Sequence, residues 1–359
     1  MGGEFVDLQT QQLLQMMDQP VFYVKDGVVI WHNRAATNLV FQGQNVLTLF
    51  LPDGAPYSLW DRMGSMEAEI PIFGIQYGLK ARVLDGGELF VLEPRSTENR
   101  GRGTTLLQTS AHLRGILQDL IDSVGTIQDN ISDREDLIPE AETLNRSCYR
   151  LLSLCNRLSD GGTLMRREGM QSFQKIRVRE FLDRFVSETA PLLKEAGYEI
   201  EYTPCNETIT CHLEPVLIER GLYRLLAHGI KHSAPTPSVS LSAWDDEQRV
   251  CFAISYAIAS GGEEIFLTEG AWNLSDIPGT DGIGMEVVRL IAEYHGGTLM
   301  GITSAEGQRI RLVLSIGKNN ATHNLRSCKT PHEEFDGFHR GLVELSEILG
   351  KEMYHPDQV

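Results

Sequence analysis

The sequence predicts an α+β, multidomain chain of three folded parts and a tail. The parts are a mixed α/β domain over residues 1–95, a helical hairpin over 104–164 and an α/β sandwich over 175–316, followed by a polar tail with an amphipathic helix over 317–359. Three observations carry this reading. Short apolar runs separated by glycine turns fill the first part, which is the signature of antiparallel strands. Two heptad runs follow a polar, glycine-containing stretch at 95–103. Beyond them, strand-length and helix-length periodicities alternate, as in a sheet with helices on one face.

In the first part, Leu13 to Met17 reads as a short helix. Pro20 to Val24 and Val28 to Trp31 flank a Lys25-Asp26-Gly27 turn and form a hairpin. A helical stretch opens at His32-Asn33-Arg34 and runs through Val40. Three strands are expected at Glu67–Phe73, Ile75–Val83 and Glu88–Glu93, with Asp85-Gly86-Gly87 turning between the last two. His32 reads as a polar residue at a strand end rather than as a haem ligand.

In the second part, Leu113, Leu117, Leu120, Val124, Ile127 and Ile131 recur at heptad spacing. Residues 129–139 break the pattern. Ala141, Leu144, Cys148, Leu151, Cys155 and Leu158 repeat it, and Asp160-Gly161-Gly162 reads as a stop. Two narrow apolar seams are buried best by a second copy, so the hairpin predicts a homodimer through a four-helix bundle; an intramolecular pair packed on a neighbouring domain is the alternative.

The third part begins with a strand and helix over 176–196 and two short strands, Tyr198–Tyr202 and Glu207–Cys211, about a turn. Next come an amphipathic helix, Pro215–His232, and strands at Ser238–Ala243 and Val250–Tyr256. After Gly282-Ile283-Gly284, a helix is expected from Met285 to Tyr294, then strands at Thr298–Ser304 and Gln308–Ser315. Glycines let backbone N–H groups approach phosphate oxygens, and a helix N-terminus favours the negative charge. In the tail, Phe335, Phe338, Leu342, Leu345 and Ile348 form one helical stripe that docks on the body or binds a partner.

Several of these motifs resemble a known family. Gly282-Ile283-Gly284-Met285, the helix, His295-Gly296-Gly297 and Ser304-Ala305-Glu306-Gly307 stand in the order found in the ATPase domain of two-component sensor histidine kinases. Ser110-Ala111-His112-Leu113-Arg114-Gly115-Ile116-Leu117 resembles that family's Ser-His-Glu-Leu-Arg-Thr-Pro-Leu, and the stretch 19–36 resembles the opening of a PAS sensor domain. The resemblance implies ATP with Mg²⁺ as cofactors, a phosphoacceptor histidine, a response regulator or partner kinase as partner, and a PAS ligand that no residue names.

The same alignment shows a degenerate member. Ala111 stands in the phosphoacceptor slot, and His112 falls where the family has an acidic residue, about 100° further around the helix. The family's Asn-Leu-x-x-Asn-Ala-x-Lys is matched by Arg224-Leu225-Leu226-Ala227-His228-Gly229-Ile230-Lys231. Lys231 is kept, and His228 replaces the Mg²⁺-holding Asn, although Mg²⁺ prefers oxygen ligands. The Asp that accepts the adenine amino group is replaced at Tyr256, and Gly261-Gly262 beyond it reads as a loop. Gly282 and Gly284 are kept. The chain therefore reads as a pseudokinase-like regulator or scaffold. The alternatives are an active kinase that autophosphorylates on His112 and an ATPase of the same superfamily.

Composition bounds the rest. The net charge of −17 disfavours nucleic acid as a partner. No run is long and apolar enough for membrane insertion, and the first residues lack the pattern of a signal peptide. The six cysteines include no CxxC pair and read as buried thiols of a reducing compartment, which points to a cytoplasmic protein.

Overall fold

A computed structural model describes residues 8–46, 63–72, 75–84, 86–94, 99–131, 137–166, 173–234, 238–245, 248–258, 281–304, 308–318 and 338–355. Helix α1 (Leu8–Gln15) precedes the hairpin β1 (Val21–Lys25) and β2 (Val28–His32), with Asp26 and Gly27 at positive φ in the turn. Only a 3-10 turn, Arg34–Ala36, forms where a helix to Val40 was expected. The buried Asn33 shapes this corner. Its Oδ1 accepts from the N–H groups of Val21 and Ala36, and its Nδ2 donates to the carbonyls of Leu14, Met17 and Gln19.

Strands β3 (Met63–Ile72), β4 (Ile75–Leu84) and β5 (Gly87–Pro94) complete an antiparallel meander in which β5 pairs with β1. Phe22 and Phe90, directly opposite in that pairing, stack with ring centroids 5.1 Å apart.

Two long helices follow, α2 (Asn99–Ile131) and α3 (Ile138–Arg166). Both overrun the expected limits. Residues 99–103 are helical instead of a linker, and Gly161-Gly162 does not stop α3. The reason is close packing: a Cβ on Gly103 would lie 2.9 Å from the Gly162 carbonyl, and one on Gly162 would lie 2.8 Å from the Gly103 carbonyl. These glycines let two backbones meet.

The C-terminal half holds β6 (Gln174–Arg177), α4 (Val178–Glu195), β7 (Glu199–Thr203), β8 (Thr210–Leu213), α5 (Pro215–His232), β9 (Ser238–Asp245), β10 (Arg249–Ala257), α6 (Asp281–Tyr294), β11 (Thr298–Ser304) and β12 (Arg309–Gly317). The short strands β7 and β8 do not pair about a turn. β8 pairs with β6, and β7 runs parallel to β9.

The two halves share one sheet. Ten strands run in the order β2-β1-β5-β4-β3-β11-β12-β10-β9-β7, and β3 pairs antiparallel with β11, Met66 opposite Ile302 and Ala68 opposite Met300. Strand β10 is buried on both faces. Phe252, Ile254 and Tyr256 join the core under the helices, while Cys251 and Ala253 join the cluster that contains Phe22, Leu79 and Phe90. Burial on both sides explains the continuous apolar run from Val250 to Ile254 in β10.

The tail returns to the body. Its stripe forms a short helix, α7 (Arg340–Glu344), and a 3-10 turn, Lys351–Tyr354, instead of one helix to Ile348; Phe335 lies outside the described residues. Leu342, Val343, Leu345, Leu349, Met353 and Tyr354 are buried in the main core. Among the described residues the five cysteines are free and buried, and no helix is long and apolar enough to cross a membrane. Burial pushes the Cys211 thiol up to about 12.

Candidate functional site

Helix α2 carries Ala111 and His112. Ser110 is buried, and its Oγ donates to the Cys155 carbonyl at 2.8 Å. Leu117 is buried and Leu113 half-buried against the same core. This rotation turns Ala111 and His112 outward, and both are exposed. Arg114 reaches across to Asn156, Nη2 to Oδ1, at 2.8 Å.

Part of each expected heptad seam is buried within the chain and part is exposed. Leu120, Leu144 and Leu151 are 44%, 41% and 39% exposed, as is Ile116 at 48%. On α3 the expected Ala141, Cys148, Cys155 and Leu158 are buried, joined by Asn145 and Leu152. Each helix thus has a buried stripe and a second, outward apolar flank. The side chains of Ile127 and Ile131 lie outside the described residues.

Helix α5 carries His228 and Lys231, and Tyr256 stands on β10 beneath it. Its first turn starts on Pro215, which suits the first helical position. Lys231 is exposed at its C-terminal end. His228 is buried, with its ring centroid 4.5 Å from that of His232 and 6.2 Å from that of Tyr256. Tyr256 is fully buried and its hydroxyl has no hydrogen-bond partner among the described residues. Burial pushes this phenol well above its ordinary range, so it is a neutral hydroxyl.

His228 packs on a second imidazole and the Tyr256 ring fills the space beneath α5, so neither presents the carboxylate or amide oxygen that Mg²⁺ prefers. Gly261 and Gly262 lie outside the described residues.

Gly282 and Gly284 lie within the first turn of α6 instead of preceding it. Ile283 and Met285 are buried and extend the helical pattern backward. Gly284 is buried, and a Cβ on it would lie 3.8 Å from Arg157 Nη1 of the hairpin.

At the other end of α6, His295 is a structural link. Its Nδ1–H donates to the Ile291 carbonyl at 2.7 Å, and its Nε2 accepts from the Glu214 N–H at 3.0 Å, just before α5. Burial drops its pKa to about 4, so it is neutral. Gly296 follows at φ +68, and a Cβ on Gly297 would overlap the Ser315 carbonyl. The His-Gly-Gly motif therefore closes the helix end tightly against β12.

Sequence reasoning missed a buried ionic cluster. Asp160 of α3 accepts from Arg220 Nη1 at 2.5 Å and from Arg224 Nη2 at 2.6 Å. Glu344 of the tail stands 3.6 Å from Arg220 Nε and 3.7 Å from Arg224 Nε. All four are buried. Removing one partner from such a set costs about 3–5 kcal/mol, because a charge is left without compensation. The available signals were two arginines one helical turn apart inside an apolar helix, and a glutamate inside the tail's apolar stripe.

No protein-family model matches the chain, and no curated protein matches it. Solved structures do. The full-length protein ShkA in complex with AMPPNP is 17% identical over 61% of this chain and 47% of its own, with a TM-score of 0.47. This chain therefore spans about half the length of ShkA. Histidine kinase ThkA, solved with response regulator protein TrrA, is 14% identical over 86% of this chain and 98% of its own, at a TM-score of 0.41. The histidine kinase AdeS of Acinetobacter baumannii is 18% identical over 58% of this chain and 96% of its own, at 0.40. Two of these three are histidine kinases by name, and the chain is similar to each over the share given.

Proposed function

We propose that the chain is a degenerate member of the sensor histidine kinase family and works as a pseudokinase-like regulator or scaffold. In this reading the N-terminal strands form a PAS-like sensor with a ligand yet to be named. The hairpin dimerises, and the C-terminal unit is an ATPase-type domain that no longer serves phosphoryl transfer. The protein is cytoplasmic, and its partner is a response regulator or another kinase.

One observation carries the proposal: the outward position on α2 that the motif reserves for the phosphoacceptor is a methyl group, Ala111, which offers no nucleophile. His228 and Tyr256 support it from the nucleotide side. A second reading, an active kinase, is favoured by one feature, the exposure of His112 one residue along.

The two readings separate in a single experiment. Calorimetry with Mg²⁺ and ATP, together with incubation in labelled ATP, is expected to give no acid-labile, base-stable phosphate on the chain. Labelling that disappears in His112→Ala would overturn the proposal and establish the kinase.

A further inference from the structure

Residues 338–355 touch both the hairpin and the C-terminal unit. Helix α7 has five residues, too few to hold its own helical form in water, so its structure depends on docking. It docks with charges as well as apolar side chains. Arg340 pairs with Glu219 of α5 at 2.8 Å. Glu344 faces Arg220 and Arg224 of α5, which also hold Asp160 of α3. Glu347 accepts from Arg157 of α3 at 2.5 Å. Arg146 of α3 donates to the carbonyls of Ser346 and Glu347, and Asn145 donates to that of Tyr354. Tyr149 of α3 meets the rings of Phe338 and Tyr354 edge-on at 5.2 and 4.9 Å. One short segment therefore grips both the hairpin and α5.

The grip at Arg157 lies in the turn of α3 that also touches α2 and α6. Cys155 and Asn156 contact Ser110 and Arg114, on either side of Ala111 and His112. Arg157 lies against Gly284 in the first turn of α6. Consecutive residues of α3, Asn156 and Arg157, thus meet α2 and α6.

We infer that residues 338–355 form an intramolecular clasp that locks α3 to α5 and, through Arg157, to the first turn of α6. Without Glu344, two buried arginines share the single carboxylate of Asp160, and the joint between hairpin and C-terminal unit loses its balance of charge. Release of the segment frees the C-terminal unit to move relative to the hairpin. The clasp is therefore a switch: a short element whose docked and released states are set by a few buried charges.

The test is hydrogen–deuterium exchange read by mass spectrometry on the full chain and on Glu344→Gln, which keeps size and removes charge. Exchange over residues 157–166 of α3 and 217–226 of α5 is expected to rise at least tenfold, with β11 and β12 unchanged. Unchanged exchange in those two segments would overturn the clasp, and so would a rise of equal size in β11 and β12, which would make Glu344 an ordinary core group. If Glu344→Gln does not fold, the more peripheral Arg340→Gln/Glu347→Gln pair is read by the same criterion. The experiment contains no nucleotide, so its outcome is independent of whether the chain is a kinase.

Discussion

Gly229 and Tyr256 are best understood together. Gly229 of α5 bears no side chain where the ring of Tyr256 on β10 packs against it. A Cβ on Gly229 would stand 3.1 Å from Tyr256 Cδ1, with Val239 and Ile254 close behind at 3.1 and 3.2 Å. The ring thus occupies room that the missing methyl leaves. Alanine in a helix interior gains about 1 kcal/mol over glycine, while forced overpacking costs about 1–3 kcal/mol. Gly229→Ala is therefore expected to cost about 1 kcal/mol less in a Tyr256→Ser background than in the native chain. Urea unfolding of the two single variants and the double variant measures this coupling, and simple additivity would count against it.

At the scale of elements, helix ends and crossings explain which glycines matter. Gly103 and Gly162 permit the contact between α2 and α3, and Gly297 permits the approach of β11 to β12. His295 ties the end of α6 to the start of α5 and is held neutral with a pKa of about 4, against about 6.5 in an unfolded chain. Above pH 6.5 both states are neutral and the group contributes no pH dependence. As pH falls from 6.5 towards 4 the unfolded chain takes up a proton that the folded one refuses, so stability drops. The loss amounts to about 3 kcal/mol by pH 4. Chemical denaturation at pH 7.5 and at pH 5 should show this drop in the native chain and a smaller one in His295→Gln.

At the scale of the molecule, two surfaces set the behaviour. The sheet runs unbroken from β2 to β7, so the N-terminal strands and the C-terminal unit are joined by the backbone hydrogen bonds of β3 and β11. The outward flank of the hairpin carries Ile116, Leu120, Leu144 and Leu151, each more than a third exposed. Apolar side chains repeated along a helix pair are covered most simply by a second copy of the same pair. Light scattering on the full chain should give the mass of two chains, and Leu120→Glu with Leu144→Glu should reduce it to one. A native chain that runs as a monomer at micromolar concentration would defeat the dimer.

The sequence alone determined the strands, the hairpin and the helix Pro215–His232, because period, turn glycines and a starting proline are local properties written in neighbouring residues. It also located the position of Ala111, since the heptad around Leu113 and Leu117 sets the rotation of α2. Local pattern misread the glycines at 103 and 162, which serve a contact between segments about sixty residues apart, and periodicity alone did not say which apolar positions of each helix are buried within the chain: Leu117 and Cys148 are, while Leu120, Leu144 and Leu151 are exposed. Only the tertiary structure decided the pairing of β3 with β11, the ionic set of Asp160, Arg220, Arg224 and Glu344, and the docking of the tail. Those features depend on charges and strand edges that meet across long stretches of chain, and an isolated charged residue in a sequence gives no sign of the partner that will neutralise it.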